Sequence, residues 1–114
     1  MALQMPKSVR IGAHTYTILR KPAGIMGDDN GHCDATTLQI WVRQRLRKSK
    51  AQEILLHETF HAMVLQALGC ERPYTDEEYI TVMAPLMLQV IQNNPDWVEY
   101  IRELTRGLEP GERV

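Results

Sequence analysis

Along residues 8–20, SVRIGAHTYTILR, apolar and polar side chains alternate: Val9 and Ile11, then Tyr16 and Ile18, with Gly12, Ala13 and His14 between them. Alternation at period two places one set of side chains on one face of a strand. A glycine-containing break between two such runs predicts a β-hairpin. The next stretch, KPAGIMGDDNGHCD, is rich in Gly, Asp and Asn and is expected to be loop. Residues 36–43, TTLQIWVR, alternate again through Leu38, Ile40 and Val42 and predict a third strand.

The period then becomes helical. Ser49 and Gln52 have the spacing of a capping box, which starts a helix running to about Leu68, with Gly69 at the C′ position. Thr75 and Glu78 form a second such pair. The helix they start carries apolar residues at 80, 83, 84, 87, 88 and 91, and Pro85 should kink it. Asn94-Pro95 then reads as an N-cap followed by proline at the first helical position, opening a third helix, PDWVEYIRELTR, that ends before Gly107. The expected fold class is α+β: a small antiparallel three-stranded sheet followed by three helices packed on it. Residues 1–114 read as a single domain with an ordered core over about 8–106 and a frayed tail, 107–114.

Composition narrows the class. With 44% hydrophobic and 24% charged residues the chain is globular, not disordered. A net charge of -1 argues against nucleic acid or membrane binding driven by global charge. The five basic residues of RQRLRKSK, 43–50, are expected to be a solvated strand exit. No apolar run is long enough to span a membrane, and MALQMPKSVR lacks the apolar segment of a secretory signal. Two distant cysteines, Cys33 and Cys70, make no disulfide framework and suit a reducing compartment, so a cytoplasmic location is expected.

The candidate chemistry lies in ILLHETFHAMVLQALG, residues 54–69. On a helix, His57 and His61 stand on one face and can present two ring nitrogens to one point. Glu58, rotated off that axis, is poorly placed to ligate but can reach a water on the metal. This is the HExxH pattern of a two-histidine zinc clamp with glutamate as general base. A lone histidine among apolar residues is more often a satisfied core residue. Two of them at this spacing, with the glutamate, in a helix expected to be buried on most sides, are better explained by a metal that pairs them.

HETFH after the Ile40-Trp41-Val42 strand resembles the zincin metallopeptidases. The short chain is most similar to the small phage and prophage HExxH proteins, relatives of the ImmA/IrrE-type peptidases. The resemblance covers roughly residues 8 to 104. It implies a minimal zincin-like fold in which a strand-rich half precedes the zinc helix and an acidic residue on the next helix completes the site.

A catalytic zinc usually takes three protein ligands and keeps one position open. The metzincin pattern needs glycine at 64 and histidine at 67, where this chain has Val64 and Ala67. SprT-like proteins use a later histidine, and none follows His61; the others are His14 and His32. That leaves an acidic third ligand, the gluzincin arrangement. Glu78 is occupied as the N3 member of its capping box. Glu77 shares helical phase with Ile80 and Ala84, which are expected to face inward, so Glu77 is the predicted ligand and Glu78 the runner-up. Many gluzincins carry an aspartate four residues after the ligand, where this chain has Thr81.

The implied function is a zinc-dependent metallopeptidase acting on a peptide or protein substrate. A zinc-bound water would attack the peptide carbonyl, with Glu58 as general base and Tyr74 as the candidate oxyanion donor, Tyr79 and His32 being alternatives. The resemblance further implies a substrate paired along the edge of the TTLQIWV strand. The alternative is a binding or regulatory module of phage or prophage origin that keeps the zincin fold and cleaves nothing.

Overall fold

The computed structural model describes residues 4–69 and 75–104, and of residue 76 the backbone alone. The predicted hairpin forms: β1 (Ser8–Ile11) pairs antiparallel with β2 (His14–Lys21), and Gly12 makes the turn at φ 59°. Beyond it the architecture departs from the expectation of a three-stranded antiparallel sheet followed by three helices. The stretch expected to be loop holds a one-turn helix, α1 (Ala23–Met26), and a strand, β3 (Gly31–Asp34). The run at 36–43 narrows to β4 (Gln39–Arg43). Four strands then form a mixed sheet in the order β1-β2-β4-β3, with β2 and β4 parallel and β3 antiparallel to β4.

The reason lies in β4. Its Ile40 and Val42 are fully buried, and the sheet buries them best at its centre, with Ile18 of β2 paired against Ile40. The chain from 22 to 38 therefore passes outside before returning. On the way it lays down Gly31-His32-Cys33-Asp34 as a short outer strand. Gly and Asp are poor strand formers, so β3 owes its existence to pairing with β4. An edge of TTLQIWV is consequently not available to a substrate: the outer strands are β1 and β3.

Three longer helices follow: α2 (Lys48–Leu68), α3 (Asp76–Asn93) and α4 (Pro95–Arg102). The α2 helix starts ahead of the expected capping box. Arg47 is its N-cap and makes no side-chain capping bond. The Gln52 amide instead donates to the carbonyls of Tyr100 and Glu103, 2.8 Å each, tying α2 to the end of α4. Lys48, largely buried, pairs with Glu103 beside it. Three other predicted ends hold, whereas α4 stops at Arg102, short of the expected end before Gly107. Gly69 closes α2 at φ 77° with its N–H on the Leu65 carbonyl, Thr75 and Glu78 form a reciprocal capping box, and Pro95 opens α4. Pro85 lies inside α3 as expected.

The core sits between the sheet and the inner faces of these helices. Val9, Ile11, Tyr16, Ile40 and Val42 meet Ala51, Leu55, Ala62 and Met63 of α2, with Val90, Trp97 and Tyr100 behind. Trp97 donates its indole N–H to the Thr59 hydroxyl at 3.3 Å, and that hydroxyl donates to the Leu55 carbonyl at 2.7 Å. Thr59 lies between the two histidines of the motif, so this buried chain fixes how α2 is rotated about its axis. No helix among the described residues is long and apolar enough to cross a membrane. Cys70 and the tail from 105 onward, about which the sequence raised expectations, lie outside the described residues.

Candidate metal centre on α2

The α2 helix has an inner face formed by Ala51, Leu55, Glu58 and Ala62, at spacings of four, three and four. Glu58 belongs to that face and is 7% exposed. His57 and His61 flank it: His57 lies in solvent and His61 is half-buried. The expectation that the helix is buried on most sides is therefore corrected, because Phe60 is also exposed, at 42%. The cost of desolvating a charge falls mainly on Glu58.

The two rings are turned toward each other. His57 Nε2 and His61 Nε2 stand 3.0 Å apart, and the ring planes are inclined at 70° with centroids 4.7 Å apart. At that distance one ring in its Nε2–H tautomer donates to the other. Two nitrogens on a tetrahedral zinc, each about 2.0–2.1 Å from the ion, lie about 3.3 Å from each other. The pair is thus within a few tenths of an ångström of what the ion needs. The Glu58 carboxylate completes the group, with the three ligand atoms all within 4.8 Å of one another. The donor set, two imidazoles and a carboxylate, suits zinc or a neighbouring transition metal.

A cleft of about 250 Å³ opens beside the group, between α2 and β3. Glu58, His61 and Leu65 form its helix wall. Asp29, Gly31, His32 and Cys33 form the other. The His32 ring is held against Trp41, centroids 5.1 Å apart, and the Lys21 ammonium sits 4.8 Å over the same indole. A roomier hollow of about 360 Å³ lies at the start of α2, lined in part by Arg20, Lys48 and Tyr100. Among the described residues, the group with the donors and spacing to hold a metal ion is the one at His57, Glu58 and His61.

Glu77 does not join that group. It is exposed and lines a separate groove with Leu68, Thr81 and Val82. Leu68 shares the α2 face of His57 and His61 but lies seven residues beyond His61, about 10 Å along the axis. The cause is the phase of α3. Ile80, Leu88 and Ile91 are 59%, 55% and 46% exposed, whereas Val90 is fully buried and Met83, Leu86 and Met87 pack on the core. The helix is apolar on two sides, and the face shared by Glu77, Ile80 and Ala84 is the outer one. Glu78 holds the Thr75 N–H at 3.0 Å in the capping box, as expected. Tyr74 lies outside the described residues. Of its two alternatives, His32 lines the cleft.

Asp29 and Gly31 were not singled out from sequence, and Cys33 only as one of two distant cysteines. Their stretch has the composition of a loop, and only the pairing of β3 with β4 brings it to α2. Comparison with protein-family models, with curated proteins and with solved structures returns no match, so the case for this site rests on its geometry.

Proposed function

We propose that the protein is a zinc-dependent metallopeptidase whose ion is held by His57 and His61 and whose general base is Glu58. The observation that carries the proposal is the convergence of His57 Nε2 and His61 Nε2, 3.0 Å apart, next to a buried carboxylate on the same helix. When bound, zinc would supply Lewis acidity at a carbonyl or water oxygen. Glu58 takes a proton from the attacking water and returns it to the departing amine nitrogen, so that the C–O bond forms as the C–N bond breaks. The substrate is a peptide or a protein segment lying in the cleft along β3, with His32 as the candidate donor to the oxyanion.

A specific observation favours a second reading. The compact group includes Glu58 itself. If Glu58 ligates, the site is a closed metal clasp, and the chain is a non-catalytic binding or regulatory module with a zincin-like site. One variant separates the two. As a base, Glu58→Gln keeps stoichiometric zinc and lowers the turnover number by about 10²- to 10⁴-fold. As a ligand, Glu58→Gln loses zinc as completely as His57→Ala. Elemental analysis of wild type and both variants after zinc loading gives the answer, and a wild type that takes up no stoichiometric zinc removes both readings.

A further inference from the structure

β3 carries a glycine where strand pairing does not ask for one. Gly31 pairs with Val42 in the sheet and is not among the residues of positive φ, so its backbone needs no glycine. Glycine weakens a strand interior and commonly marks a close approach by another group. A methyl group on its α-carbon would lie 2.7 Å from Glu58 Oε2, 2.8 Å from Glu58 Cγ and 2.6 Å from Ile54 Cγ2. Gly24, Gly27 and Gly69 would meet nothing within 4 Å.

We infer that Gly31 is the positioning residue for Glu58: its missing side chain is the slot in which the Glu58 side chain lies. The inference rests on the proposed role of Glu58 as base. Ile54 and Glu58 are one helical turn apart and lie side by side on β3. Ile54 fills one end of the slot, and Glu58 crosses the other with its carboxylate. The strand backbone thus forms one wall of the pocket that keeps the carboxylate beside the two histidines. A carboxylate at the end of a flexible chain moves more readily than a strand does. A methyl at position 31 therefore swings Glu58 away, while His57 and His61, on the flank of the helix, stay where they are.

The two contacts make the test separable. Gly31→Ala, Ile54→Leu, which removes the Cγ2 branch at nearly constant volume, and the double variant are made in the full chain. Nuclear Overhauser contacts between the protons on the residue 31 α-carbon and those on Glu58 Cγ report the slot without any need for activity or metal. Wild type shows them. In Gly31→Ala the Glu58 signals move, zinc affinity by chelator competition stays within about threefold, and kcat on a randomised fluorogenic peptide mixture falls at least about tenfold with KM little changed. Adding Ile54→Leu, which takes away the branch that a methyl at position 31 would strike, recovers thermal stability but neither kcat nor the Glu58 position. Glu58 signals unmoved in Gly31→Ala, or kcat restored together with stability in the double variant, overturn the inference and leave Gly31 as space for Ile54. A wild type without the Gly31–Glu58 contacts overturns it whatever the variants do. A wild type that binds no zinc and cleaves nothing removes the peptidase proposal instead, and the contacts still decide whether the slot exists.

Discussion

At the β1 edge of the sheet, side-chain amides occupy the strand's backbone groups; at the β3 edge, glycine backbone forms the wall of a cleft. Asn94 accepts the Arg10 N–H at 2.7 Å and donates to the Arg10 carbonyl at 2.8 Å, copying the pairing that another strand would make. Gln89 accepts the Gly12 N–H at 2.8 Å. An outer strand with open backbone groups invites a second chain, and proteins commonly block it. Here the block uses the last turn of α3 and the residue after it. β3 is treated otherwise. Gly31 and Cys33 sit in the non-hydrogen-bonded pairs, with Val42 and Ile40 of β4 respectively, so their N–H and carbonyl groups point away from β4, on the side of the candidate site. The sealed edge serves the fold, and the other borders the candidate site.

Variants on the two sides should fail in different ways. His57→Ala should have the largest effect: zinc affinity falls by at least about 100-fold, while thermal stability without metal changes little because the ring is in solvent. Asn94→Ala should do the reverse. It removes the Arg10 pairing and a bond to the Val90 carbonyl, costing about 1–2 kcal/mol, since water can reach part of this edge. That lowers the melting midpoint by several degrees and leaves zinc binding unchanged. A chelator titration and a melt on each variant check both halves. Zinc loss in Asn94→Ala would mean that the two edges are coupled and the contrast between them does not hold.

How much of this was legible in the chain depends on which force set each feature. The hairpin, the glycine and proline at the helix ends and the Thr75 capping box follow from local backbone chemistry and stand where the sequence places them. His57, Glu58 and His61 were equally legible, because spacing along one helix fixes their relation. The parallel pairing of β2 with β4 was not. It comes from burying Ile40 and Val42 at the centre of the sheet, and nothing in GHCD announces a strand. The Ser49–Gln52 box failed because Gln52 finds stronger employment on the carbonyls of α4. The inward placement of Glu77 did not hold because α3 carries apolar residues on both sides, so periodicity alone could not tell the face that Val90 shares from the face that Ile91 shares.

The acidic start of α3 offers a finer test of where the site ends. Glu77→Ala should leave zinc affinity within about threefold, because its carboxylate lines the groove at Leu68 and not the cleft at β3. Glu78→Ala should cost about 0.5–1 kcal/mol through the lost capping bond and also spare zinc. Chelator competition on the pair decides. A Glu77→Ala variant that loses zinc like His57→Ala would restore it as third ligand and extend the site beyond the β3 cleft.

The smallest effect expected lies at the far end of β3, where the strand turns into β4. The Asp34 carboxylate accepts the backbone N–H groups of Thr36 at 2.9 Å and Thr37 at 3.2 Å. These bonds hold its carboxyl below the usual range, the Thr37 N–H contributing most, then the Thr37 hydroxyl and the Thr36 N–H. A depressed folded-state value means that the ionised form is favoured by folding. The stabilisation is therefore present above the unfolded value of about 3.9 and is lost as pH falls through the lower folded value. Asp34→Asn keeps an oxygen that can accept the same N–H groups but has no charge to titrate. Its melting midpoint should be slightly lower than that of wild type near neutrality, and should fall less steeply below about pH 4. Melts from pH 6 to the acid limit of folding, on both proteins, would show the two curves drawing together as acid is added. Parallel curves would mean that the turn holds β3 in register without help from the charge.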